Sequence, residues 1–254
     1  MEIDQFNAED LINGEEELAF YRKGMEFFHL QLVRLNVNIF ILNHVLAFPF
    51  HLFADPHSSL FFRMVFENFF NASLLVITKV AADPGGNVFT LQRFKNRIRR
   101  SIRPEFAHQF DERLRRVRFD ANTHTLLDRT RTLRNTQVAH ISEDIVFGRS
   151  EASRVVFGDL ESLRDQLNSL LDAISFNVEH LMLPIPYHPN VQHPYGYDNR
   201  PDIEVILDSM AERSSLLNLP ERDPLGWHHH RKILSQRDIE LINKYRRKFN
   251  LVEV

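Results

Sequence analysis

Between residues 15 and 47 large apolar side chains recur at alternating spacings of three and four: Leu18, Tyr21, Met25, Phe28, Leu32, Leu35, Ile39, Leu42 and Leu46. That alternation keeps one stripe of a helix turned toward a neighbour, so the pattern predicts a single long helix. A second stripe (Phe20, Phe27, Leu30, Val37, Ile41 and Val45) broadens the buried face, and Pro49 stops it. Stripes of this kind are core packing rather than a ligand box.

The next segment, capped by Ser58 or Ser59 and running to about Ala82, is apolar nearly all round. A helix without a polar face belongs in the centre of a bundle. Glu67, Asn68 and Asn71 interrupt it. Buried polar groups need partners, so these three either bond locally to their own helix or orient the reactive groups of a site.

Asp83-Pro84-Gly85-Gly86-Asn87 reads as a turn. Pro104 divides the following basic segment into two helices. Thr123 caps a further helix with Leu126, Leu127, Thr130, Leu133, Gln137 and Ile141 along its inner side. After a loop around Gly148, Asp159 caps a helix from Leu160 to Leu183, stopped by Pro184 and Pro186. Residues 184–199, rich in Pro, His, Tyr and Asn, read as a linker. Pro201 opens a short amphipathic helix, and Ser235 and Asp238 cap a last one, whose Lys244, Arg246, Arg247 and Lys248 form a basic end. The pattern predicts an all-α bundle of four to five long helices over residues 1–183, with a basic helical insert. Residues 184–254 form a linker and a small helical C-terminal extension.

Composition sharpens this picture. The chain has 254 residues, 8 Gly against 22 Phe, and no Cys. The length suffices for a sizeable core, and so few glycines favour long helices. The lack of cysteine excludes disulfides, a thiol nucleophile and Cys-ligated zinc, and fits a cytoplasmic location. The acidic start (Glu2, Asp4, Glu9, Asp10) is the opposite of a signal peptide's basic one. The two most apolar windows contain Asn38, Asn43, His44 and Pro49, and Arg63, Glu67, Asn68 and Asn71; such groups argue against a membrane span.

Charge is unevenly spread. From Arg93 to Arg118 ten basic residues face three acidic ones, a local net charge of +7 in a chain whose total is −3. A basic face attracts phosphodiester backbones; neutralisation by the acidic N-terminus is the competing explanation.

The candidate chemistry lies in Arg131-Thr132-Leu133-Arg134-Asn135-Thr136-Gln137-Val138-Ala139-His140. A guanidinium grips phosphate with parallel donors, and an imidazole carries a proton near neutral pH. On an ideal helix Arg134 and His140 are about 120° and about 9 Å apart, so they do not share a face. Either the last turn unwinds or a second copy contributes. A surface arginine and a histidine favoured at a helix C-terminus is the plain alternative. Elsewhere, Trp227-His228-His229-His230 lacks a carboxylate at ligand spacing, Gly85-Gly86 lacks the Lys-Ser/Thr of a phosphate loop, and no acid activates Ser142. No metal and no cofactor is expected.

Arg134-Asn135 followed by Ala139-His140 resembles the signature of the HEPN superfamily, an arginine and, a few residues on, a histidine. Ser59 to Met64 through Leu74-Leu75 to Ala82-Asp83 is similar to the second helix of its abortive-infection branch, and Leu126-Leu127 to His140 resembles that branch's motif helix. The resemblance covers roughly residues 15–183. It implies a metal-independent endoribonuclease of the toxin or phage-defence type: His140 as acid/base, Arg134 as phosphate clamp, Asn135 as positioning donor, and Glu67, Asn68 and Asn71 supporting them. RNA would contact Arg97, Arg99, Arg100 and Arg131. It also implies a homodimer whose interface includes 131–142, with a cognate antitoxin or regulatory protein as a further partner. The alternative is a catalytically inactive dimer that binds RNA, a nucleotide or a partner protein.

Overall fold

The computed structural model describes residues 3–82, 88–117, 121–138, 154–176 and 201–254. Among the described residues there is no strand; one isolated antiparallel bridge joins Ile12 and Ile102. The architecture is all-α, as the hydrophobic pattern predicts.

In chain order the helices are α1 (Ala8–Leu11), α2 (Glu15–Ala47), α3 (Phe50–Phe53), α4 (Pro56–Ile77), α5 (Leu91–Ser101), α6 (Pro104–Arg116), α7 (Ala121–Leu133) and α8 (Phe157–Ile174). The C-terminal ones are α9 (Asp202–Arg213), α10 (Ser215–Arg222), α11 (Pro224–Arg231) and α12 (Gln236–Lys248). Two π-wound turns extend helices: Thr78–Ala82 after α4 and Arg134–Val138 after α7.

Local chemistry fixes most boundaries. Pro104 sits at the first turn of α6, where its missing N–H costs nothing. Ser235 and Asp238 form a reciprocal capping box on α12. Three expected caps differ. Asp55, rather than Ser58 or Ser59, caps α4, accepting from the Ser58 N–H at 2.9 Å and from its hydroxyl at 2.9 Å. Asp159 lies inside the first turn of α8 and reaches back to the Val156 N–H at 2.9 Å. Thr123 is buried inside α7 rather than at its start.

The chain divides into two compact units that do not follow its order. The first comprises Met1–Ile39 and Phe69–Ile185. Its core takes Tyr21, Phe28, Leu32, Leu35 and Ile39 of α2, all fully buried, with Phe94, Ile98, Phe110, Leu163, Leu167 and Phe176. Phe94 lies over Gly24 and is ringed by Phe20, Tyr21, Phe28 and Phe89. Where α5 meets α6 the backbone pairs with the N-terminal segment: the Asn13 N–H donates to Ser101 and the Arg103 N–H to Leu11, at 2.8 and 2.9 Å.

The second unit comprises Phe40–Asn68 and Pro186–Val254. Thus the four C-terminal helices form a compact body with the end of α2 and the start of α4, segments that the sequence pattern assigned to the bundle. Val45, Phe48, Phe53 and Phe62 pack with Leu207, Leu217, Trp227 and Ile242. His44 Nδ1 donates to the Phe40 carbonyl and its Nε2 lies 2.8 Å from Glu204. His51 lies 3.0 Å from Asp238, whose carboxyl is lowered to about 2 by hydrogen bonds from His51 and then from Ser235. Burial, with Asp208 nearby, pushes the Tyr245 phenol up to about 12.

Three expectations about burial are corrected here. Leu46 and Leu30, placed on the two buried stripes of α2, are exposed. The α4 helix is not enclosed by core: Leu60, Phe61, Met64 and Leu75 are exposed. Arg246, one of the four cations of the basic helix end, is completely buried. Its Nε donates to the Val252 carbonyl and Nη1 to the Leu217 carbonyl, each at 2.5 Å, and the guanidinium pairs with Glu221. By length and composition α2 and the stretch Ser58–Ala81 could each cross a bilayer.

Candidate functional site

Helix α7 carries the motif arginine. Leu126, Leu127, Thr130 and Leu133 are buried along one side. That side packs against the π turn Thr78–Ala82 and against α8. The helix is rich in threonine on both sides. Thr125, Thr130, Thr132 and Thr136 each turn a hydroxyl back to the carbonyl four residues earlier, at 2.7 to 2.9 Å. Such back-bonding satisfies the hydroxyl while loosening and bending the helix. The helix then widens into the π turn Arg134–Val138. A π turn bonds i to i+5 and is a frequent feature of functional sites.

From Arg134 to Val138 the winding is thus π rather than α. His140 and Ile141 lie outside the described residues. Arg134 is half-buried, and its Nε is a buried donor without a hydrogen-bond partner among the described residues. Asn135 is exposed. Arg131 is held by Asp128 one turn earlier at 3.0 Å.

The polar residues of α4 have local partners or face solvent. Glu67 accepts from Arg63 one turn earlier at 3.0 Å, Asn68 is exposed and Asn71 half-buried. Among the described residues no hydrogen bond joins any of the three to Arg134 or Asn135.

The basic segment is partly neutralised, by partners far away in sequence. Arg97 makes parallel hydrogen bonds to Glu17, at 2.9 Å from Nε and 2.8 Å from Nη2, and stacks 3.8 Å above the Phe20 ring. Glu16 lies 3.7 Å away. The Arg97 hydrogen bond holds the Glu17 carboxyl below the usual carboxylate range despite an opposing desolvation effect. Arg99 grips Asp111 in the same two-pronged way, at 2.5 and 2.7 Å, which lowers the Asp111 carboxyl. Arg113 ties α6 to the end of α8 through the carbonyls of Ser175 and Asp172. Arg100 is exposed and has no carboxylate partner among the described residues. Of the four expected RNA contacts, Arg97, Arg99 and Arg131 are thus engaged within the protein, and Arg100 is open.

Among the described residues no three His, Asp or Glu side chains are arranged to hold a metal ion. His228 and His229 place their rings 6.1 Å apart and steeply inclined.

Residues 48–196 match the family model HEPN_AbiU2, described as AbiU2. That is more than half of the chain, so the protein belongs to this family, within the abortive-infection branch of the HEPN superfamily. Membership makes it a HEPN-type nuclease or a related module. The matched region runs from α3 through α8 and includes the motif. No curated protein and no solved structure matches the chain.

Proposed function

We propose that this protein is a metal-independent endoribonuclease of the toxin or phage-defence type, acting in the cytoplasm. RNA supplies its own nucleophile. The 2′-hydroxyl oxygen attacks the adjacent phosphorus while His140 takes its proton; the P–O5′ bond breaks, a proton is delivered to the 5′ oxygen, and a 2′,3′-cyclic phosphate remains. Arg134 bears the charge that builds on the phosphorane, and Asn135 positions it. The observation that carries this reading is Arg134 itself: a half-buried guanidinium at a π turn, one donor buried and without a partner among the described residues. A phosphate oxygen would satisfy that donor.

Incubation of purified protein with total RNA tests this. His140→Ala and Arg134→Ala should each lower cleavage by about a hundredfold or more, the scale of a positioned proton-transfer group, while excess chelator leaves it unchanged. Equal activity of both variants and wild type would remove the pair from the site, and a loss restored by zinc or manganese would end the metal-independent mechanism.

A homodimer belongs to this reading, and α4 supports it. Phe61, Met64, Asn68, Asn71 and Leu75 follow one another at spacings of four and three along one continuous helix. Phe61, Met64 and Leu75 are 58%, 54% and 45% exposed. This is the heptad of a helix that packs on another helix, and the described chain leaves it uncovered. Large side chains half in water each offer on the order of 100 Å². With Leu60, Arg63 and Glu67 at its flanks the stripe supplies a substantial share of the roughly 800 Å² per partner of a standard interface. Asn68 falls in phase with Phe61 and Leu75, where an amide fixes register and the number of helices at some cost in stability. The Asn residues of α4 then serve the contact with a second copy. A cognate antitoxin or regulatory protein is a further partner of this reading.

The second reading is a binding module without turnover that holds RNA, a nucleotide or a protein. It draws support from the pairing of Arg97, Arg99 and Arg131 with carboxylates, which leaves fewer cations for a long RNA track.

A further inference from the structure

A cavity of about 340 Å³ opens in the first unit, where α5, α6, α7 and α8 meet. Lys95 and Arg99 face it from α5, one turn apart, and Asp111, Leu114 and Arg115 face it from α6. Leu170 of α8 completes an apolar wall. Cations one turn apart on a helix repel each other, and among the described residues Arg99 has an acidic partner while Lys95 has none. The two-pronged Asp111 contact fixes the Arg99 guanidinium and leaves its remaining donors available. Lys95 is half-buried with no carboxylate partner among the described residues. Its ammonium is depressed by burial first and by Arg99 second. An unpaired lysine in a partly dry site beside two arginines costs stability unless an anion answers it, and perturbed groups of this kind gather at functional sites.

We propose that this cavity binds a phosphomonoester, with Lys95, Arg99 and Arg115 holding the phosphate oxygens and Leu114 and Leu170 walling the attached group. Charge selects the monoester. Lys95, Arg99 and Arg115 against Asp111 leave an excess of two positive charges. A phosphomonoester carries about −1.5 to −2 near neutrality, whereas a phosphate within a nucleic-acid chain carries one negative charge. The volume agrees, lying at the small end of the roughly 300–1,000 Å³ of small-molecule sites: room for a terminal nucleotide but not for a strand. Two sources offer the same chemistry, the 5′-phosphorylated end of an RNA and a free nucleoside monophosphate. The site goes beyond the nuclease reading, since binding here requires neither His140 nor turnover.

Calorimetric titration of the full-length protein with a short RNA bearing a 5′-phosphate, the same RNA with a 5′-hydroxyl, adenosine monophosphate and inorganic phosphate tests the assignment. The 5′-phosphorylated RNA should bind at least tenfold more tightly than the 5′-hydroxyl form. Lys95→Met, which keeps the apolar stem, and Arg115→Gln, at an exposed position where folding is not at stake, should each remove most of that preference. Lys23→Met, the same charge change on the exposed side of α2, should leave it intact. Phosphorylated RNA binding more tightly than the monophosphate identifies an RNA end; equal binding identifies a free nucleotide. Equal affinity for the two RNAs, or a preference that survives both Lys95→Met and Arg115→Gln, overturns the proposal. Cleavage assays on His140→Ala are independent of this result, so either reading can fail alone.

Discussion

Replacement of Arg246 by methionine tests how the second unit is held together. Methionine keeps much of the arginine's volume and removes its donors. Arg246 is 0% exposed, and its hydrogen bonds reach the Leu217 carbonyl of α10, the Val252 carbonyl of the C-terminal tail and Glu221. Three terms decide the outcome. Glu221 is half exposed, so its carboxylate recovers water and costs little. The Val252 carbonyl lies in the terminal tail and can turn toward solvent. The Leu217 carbonyl has no such escape, because Leu217 is fully buried, and a stranded buried acceptor costs about 1–3 kcal/mol. With partial loss at the other two positions the change comes to about 2–4 kcal/mol, near the lower part of the range for breaking a buried charge pair. Arg246→Ala adds a cavity and should cost more. Trp227, the chain's single tryptophan, sits in the same core, so urea unfolding followed by its fluorescence reads this unit. Arg247→Ala, an exposed pair partner of Glu253, should stay within about 0.5 kcal/mol. A loss at Arg246→Met no larger than at Arg247→Ala would refute the reasoning and mean that apolar packing fully replaces the buried arginine.

Three further outcomes are expected. On the proposed homodimer, light scattering at micromolar concentration should give a dimer for the wild type and a monomer for Phe61→Asp with Met64→Asp, with the helix content unchanged; a wild-type monomer would refute the dimer, and a double variant that stays dimeric would move the interface off α4. Asp238 has a folded-state carboxyl lowered to about 2 from an ordinary value of 3.8, so its contribution to stability is full above about pH 4 and is lost as pH falls toward 2; the stability gap between wild type and Asp238→Asn should therefore close over that window, and a gap that stays constant refutes the His51 and Ser235 contacts as its cause. Gly24→Ala gains about 1 kcal/mol of helix propensity, but the new methyl overlaps the Phe94 ring, which its aromatic neighbours hold in place, and overpacking of this kind costs about 1–3 kcal/mol; a lower melting temperature is expected, and a rise would show that the Phe94 ring yields.

The sequence by itself determined the helices and much of the core. The alternating spacing in α2 selected Tyr21, Phe28, Leu32, Leu35, Ile39 and Leu42, all completely buried, because a helix's period is a local property that the chain carries in its order. Proline and capping residues likewise marked α6 and α12. Arg134 and His140 were legible as candidate chemistry only, and the switch to π winding after Leu133 is not written in the local sequence pattern. Tertiary structure alone decided which charges are spent. Arg97 meets Glu17 and Phe20 from some eighty positions away, and Arg246 is drawn inside by carbonyls of a different helix and of the tail. It also decided that α4, apolar nearly all round, keeps one stripe uncovered. Hydropathy records what a side chain avoids, not which surface arrives to cover it; long-range partners exist only once the chain has closed on itself.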